Sequence, residues 1–136
     1  MNQFFADALA PDADTILALA TEAIDALPLN FRKAARQVIL RIQDLAEDGV
    51  LSSLGIDDPY ELTGLYDGVP LTERSASDPI VQPDQIVLFR LPILLEWIER
   101  GDVTLGELVT HVFVHELAHH FGWTDDDIAR IDPWWE

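Results

Sequence analysis

Apolar residues in this chain recur first at helical spacing and then at strand spacing. Ile16, Leu17, Leu19, Ala20, Ala23, Ile24 and Leu27 follow the three- and four-residue intervals of one helix face. Asp12 or Asp14 is placed to cap that helix, and Pro28 ends it. Asn30 is placed to cap a short basic turn through Arg36. Beyond it, Val38, Leu40 and Ile42 alternate with Ile39, Arg41 and Gln43, which predicts a half-buried strand, with helix as the competing assignment. Leu62–Tyr66 and Gln85–Phe89 are two further predicted strands, separated by a turn-rich stretch, Asp67–Asp84, containing Gly68, Pro70, Pro79 and Pro83. A loop that long in a compact protein is usually functional or mobile.

The helical period returns after Phe89. Pro92 suits the first turn of a helix carrying Ile93, Leu94, Trp97 and Ile98, and Gly101 suits its C-terminal cap. Thr104 and Glu107 then form a capping box. The segment they open is apolar on nearly every side as far as Phe121: Leu105, Leu108, Val109, Val112, Phe113, Val114, Leu117 and Ala118. This pattern predicts a buried central helix stopped by Gly122. Thr124 and Asp127 form another capping box, opening a last helix toward Ile131.

Composition narrows the class. A chain of 136 residues with 49% hydrophobic and 24% charged positions is globular and long enough for one cored domain, residues 1–136. Without cysteine, disulfides, iron–sulfur clusters and thiolate zinc sites are excluded. Eight Lys and Arg against 25 Asp and Glu give a net charge of −17, which repels phosphate backbones and anionic lipid and disfavours nucleic-acid and membrane roles. An acidic decoy for a nucleic-acid-binding protein would rest on that charge alone. The start, Met1 to Asp7, carries no basic region of a signal peptide. The most apolar stretch, Ile86–Ile98, is interrupted by Arg90, Pro92 and Glu96, and falls short of the roughly 20 residues a bilayer span needs. The expectation is a soluble, cytoplasmic monomer.

The candidate chemistry lies in the central helix, at His115-Glu-Leu-Ala-His119. At about 100° per residue, histidines four apart differ by about 40° in azimuth and one turn in height, so both rings can reach one metal ion. Glu116 stands about 100° from His115, beside such an ion, where a general base belongs. A catalytic zinc takes three protein ligands and keeps one open position. Asp125 is the preferred third ligand, because Gly122 can reverse the chain and bring Trp123-Thr-Asp125 back toward the histidines. Asp125, Asp126 and Asp127 also suit the N-terminus of the last helix. His111 is the rival ligand on the same face, yet a straight helix rises about 12 Å from His111 to His119, too far for one ion to bind all three. His111 is therefore placed behind the ligands or in the substrate cleft, and His120 in packing or behind the ligands.

The run His115-Glu-Leu-Ala-His119-His-Phe-Gly122-Trp-Thr-Asp125 resembles the HExxHxxGxxD signature of the small bacterial zincin-like metallopeptidases, or minimal zincins. The resemblance extends to Gly64-Leu-Tyr-Asp-Gly-Val-Pro-Leu-Thr-Glu-Arg74 and Pro83-Asp-Gln-Ile-Val-Leu-Phe-Arg90, and covers most of the chain. It implies an α+β fold in which a small mixed sheet packs beside the central HExxH helix. It also implies Zn²⁺ held by His115, His119 and Asp125, Glu116 as base, and a peptide or protein substrate. Tyr66 and Arg74 are the candidate oxyanion stabilisers. The alternative function is a non-catalytic, zinc-stabilised binding module that docks a partner on Trp123, Trp134 and Trp135, since tryptophan is enriched at interface hot spots.

Overall fold

Asp12 turns the chain into its first helix, α1 (Ala13–Asp25), by accepting hydrogen bonds from the Thr15 backbone N–H at 2.8 Å and the Thr15 hydroxyl at 2.9 Å. Those bonds, the backbone one foremost, hold its carboxyl below the usual carboxylate range. The computed structural model describes residues 6–68 and 83–122. The predicted last helix, most of the 67–84 stretch and the N-terminal residues 1–5 lie outside them. Short helix α2 (Leu29–Ala35) follows. Pro28 rather than Asn30 stands at its N-cap, because the Pro28 carbonyl already accepts from Arg32 N at 2.9 Å, which puts Asn30 inside the helix.

Three strands form one mixed sheet in the order β1 (Ile39–Gln43), β3 (Gln85–Phe89), β2 (Gly64–Asp67). β1 runs parallel to β3 with Ile39 opposite Gln85, and β2 runs antiparallel to it with Gly64 opposite Leu88. The alternation read from Val38 to Gln43 resolves as strand: Ile39 and Arg41 are exposed, while Leu40 and Ile42 turn toward the core. The central strand β3 is covered on both faces. Ile86 and Leu88 point into the main core, and Val87 and Phe89 point into a second cluster with Ala46 and Leu51.

Leu51 belongs to a helix the sequence pattern did not predict, α3 (Asp48–Leu54), closed by Gly55 at φ 70° and followed by a 3₁₀ turn at Pro59–Glu61. Helix α4 (Arg90–Arg100) starts directly from β3 and ends at Gly101, φ 72°. Arg90 ties that junction to the end of β1: its Nε donates to Asp44 Oδ1 at 2.7 Å, and the guanidinium also reaches the Pro11 carbonyl. The same bond holds the Asp44 carboxyl below its ordinary range. Ile98, expected on the buried stripe of α4, is 70% exposed, because the helix is buried through its first turns at Pro92, Ile93 and Leu94.

Helix α5 (Leu105–His120) carries the predicted capping box in both directions, Glu107 N to Thr104 Oγ1 at 3.0 Å and Thr104 N to Glu107 Oε1 at 3.1 Å. It packs against α1, β2 and β3, so Val109, Phe113 and Leu117 share the main core with Ile16, Ala20 and Ile24 of α1. No helix among the described residues is long and apolar enough to cross a membrane.

Candidate metal centre

The 3.6-residue period divides α5 into stripes with different neighbours. Val109, Phe113 and Leu117 enter the core. About half a turn away lie His111, His115 and His119. Between these two stripes run Val112, Glu116 and His120, which face β2.

The contact with β2 requires glycine. A Cβ built on Gly64 would come within 2.9 Å of Val112 Cγ1 and 3.2 Å of Glu116 Cγ. The absent side chain is what lets the strand lie against the helix and places the Glu116 side chain over the strand backbone. Gly64→Ala should therefore cost about 1–3 kcal/mol of stability through overpacking. Urea denaturation checks this, and a variant as stable as the parent would show that the strand tolerates a Cβ at this contact.

The His115 and His119 rings lie with centroids 4.9 Å apart, inclined at 77°. Two imidazoles bonded at about 2.0–2.1 Å to one tetrahedral ion place their ring centres about 5 Å apart, so this pair has the separation that shared coordination needs. The His111 and His115 rings are further apart, 6.4 Å. His111 is buried and lines a groove of about 510 Å³ between α1 and α5, with Leu19, Glu22 and Ala23 across from it.

Among the described residues, no group of three or more His, Asp or Glu side chains is placed to hold a metal ion. Asp125 lies outside the described residues, as do Arg74 and the tryptophans Trp123, Trp134 and Trp135. Helix α5 does end as predicted. Phe121 is its C-cap and Gly122 turns left-handed at φ 82°, its N–H bonding to the His119 carbonyl at 2.9 Å.

Tyr66 does not stand ready as an oxyanion donor. Its hydroxyl donates to Asp84 Oδ2 at 2.7 Å, and the same oxygen lies 2.7 Å from His120 Nδ1. Asp84 and His120 are 8% and 5% exposed, so this is a buried polar cluster. Sequence reasoning assigned Asp84 no role, although it lies in the Pro83–Arg90 stretch that carries part of the resemblance and immediately precedes an apolar strand.

With this arrangement in view, comparison with known families is decisive: the family model described as zincin-like metallopeptidase matches residues 35–135. The chain belongs to the zincin-like metallopeptidase family. No curated protein matches it significantly. The zincin match runs from the end of α2 through the whole sheet and α5, and so includes His115, Glu116 and His119 together with the position of Asp125. The observed fold is the α+β arrangement expected of such a zincin, a three-stranded mixed sheet beside the HExxH helix.

Proposed function

We propose that the chain is a zinc-dependent peptidase in which His115, His119 and Asp125 hold the metal and Glu116 is the general base. The observation that carries this reading is the His115–His119 ring separation of 4.9 Å within an HExxH turn whose glutamate is packed against β2. The donor set, two imidazoles and a carboxylate with no thiolate, suits zinc in an open catalytic site. When bound, zinc supplies Lewis acidity toward the scissile carbonyl and makes a water molecule acidic enough to lose a proton near neutral pH. Glu116 accepts that proton and delivers it to the departing amine, which lets peptide hydrolysis proceed without an acyl-enzyme.

Gly64 keeps β2 close to Glu116, and among the described residues β2 pairs through one edge, with β3. An extended peptide laid along the other edge would be held by main-chain hydrogen bonds beside the base. The charge of −17 favours basic peptide segments as substrates.

The test is elemental analysis of untagged protein purified without added metal, together with His119→Ala. One zinc per chain, lost in the variant, is expected. Absence of bound metal after zinc titration at neutral pH would overturn the proposal. Removal of zinc by a chelator should abolish cleavage of a random peptide library, and restored zinc should recover it.

A further inference from the structure

Asp84 joins three elements at once. Its backbone carbonyl accepts from Ile39 N of β1 at 2.9 Å, and its carboxylate receives Tyr66 of β2 and faces Nδ1 of His120 at the end of α5. With Nδ1 protonated, the imidazole and the phenol donate to the same oxygen. The 3.3 Å between Tyr66 Oη and His120 Nδ1 is then the spacing of two donors around one acceptor. The Tyr66 and His120 rings also pack edge to face, with centroids 5.6 Å apart.

This cluster continues the β2–α5 contact at Gly64. Gly64 and Tyr66 are two residues apart on one face of β2, a rise of about 6.6 Å. Glu116 and His120 are four apart on one stripe of α5, a rise of about 6 Å. Strand and helix therefore meet twice at matching intervals, once over the proposed base and once a turn later. Between those contacts, on the adjoining stripe, stands His119.

We propose that Asp84, with Tyr66 and His120, is a positioning clamp that fixes the last turn of α5 and so holds His119 at the azimuth where its ring shares a metal ion with His115. The proposal rests on the zinc peptidase reading above. The clamp works because a helix end is where backbone hydrogen bonds run out and fraying begins. A buried carboxylate bonded to the last residue of α5 restrains that turn from the sheet side and leaves the ligand face open. Gly68 belongs to the same packing: a Cβ there would lie 2.5 Å from Asp84 Oδ1 and 2.8 Å from Tyr66 Oη. Asp84, Tyr66 and His120 are positioning residues, acting through His119 rather than touching substrate.

The experiment measures zinc affinity, by competition with a chromophoric chelator, for the parent, Asp84→Ala, Asp84→Asn and Leu51→Ala. Leu51 is buried on the opposite face of the sheet and reports destabilisation alone. All are compared at a temperature where each is fully folded. Asp84→Ala should bind zinc about tenfold or more weakly, in the range seen when groups supporting metal ligands are removed. Asp84→Asn, which keeps an acceptor oxygen in place, should recover most of the loss, and Leu51→Ala should stay within about twofold of the parent. With cobalt in place of zinc, the visible absorption of Asp84→Ala should shift, because the ligand field changes with ring orientation. Parent-like affinity and spectrum in Asp84→Ala would overturn the clamp, and so would equal weakening in Leu51→Ala. Should Asp84→Ala fail to fold, Tyr66→Phe and Gly68→Ala put the same question, and parent-like affinity in both overturns it. A parent that binds no zinc would defeat the peptidase reading itself, a distinct outcome.

Discussion

Glu116→Gln is expected, on the proposed mechanism, to lower peptide hydrolysis by about 10²- to 10⁴-fold and leave zinc bound, the loss that follows when a positioned general base becomes a group that cannot take a proton. The amide has nearly the shape of the carboxylate, so the packing of residue 116 over Gly64 persists and the fold is undisturbed. His115 and His119 are unchanged, so metal content should match the parent. The measurement pairs elemental analysis with turnover of a peptide substrate identified from the library. Hydrolysis at the parent rate with zinc retained would remove Glu116 from the mechanism. The decrease should appear in kcat rather than KM, because the proton transfer belongs to the transition state and not to substrate binding.

The largest effect on stability is expected at Phe113→Ala. The Phe113 side chain is 1% exposed and occupies the main core, about half a turn around α5 from the histidine stripe. Truncating a buried phenylalanine loses transfer free energy and leaves a cavity, together about 3–5 kcal/mol. A protein of this size has about 5–15 kcal/mol in total. Urea denaturation should therefore show a midpoint displaced by a large fraction of its value with the slope unchanged. A loss below about 1 kcal/mol would mean that the core around α5 collapses to fill the space. In the variant that stays folded, zinc binding should survive, since the ring faces away from the proposed ligands His115 and His119.

Local signals located most of the elements. The capping residues Asp12 and Thr104 with Glu107 are placed by short-range hydrogen bonding, and the structure uses them for the ends predicted. Gln85–Phe89 matches β3 to the residue, because its continuous apolar run needs burial on both faces. α3 escaped notice for a physical reason. Its seven residues include Gly49, Ser52 and Ser53, all weak helix formers, and bury Leu51 alone, so no helical stripe stands out. The exposure of Ile98 was equally invisible, since the stripe continues in sequence after the helix has run past its neighbours.

The site divides along the same line. That His115 and His119 share one face of α5 with Glu116 beside them, as the proposed ligand pair and base require, follows from helix periodicity and the residue types, which the sequence contains in full. What faces them does not follow. The approach of β2 at Gly64 to Glu116, the withdrawal of the Tyr66 hydroxyl into Asp84, and the burial of Asp84 against His120 join residues 18 to 52 positions apart. Pairing at such distances depends on strand order and register, and an apolar strand such as Gln85–Phe89 is compatible with parallel and antiparallel neighbours alike. By itself the sequence determined where α1 and α5 begin and which stripe of α5 carries the histidines. Only the tertiary structure decided which strand lies against that face and which carboxylate is buried behind it, because those choices come from packing a whole sheet on a whole helix rather than from any local preference.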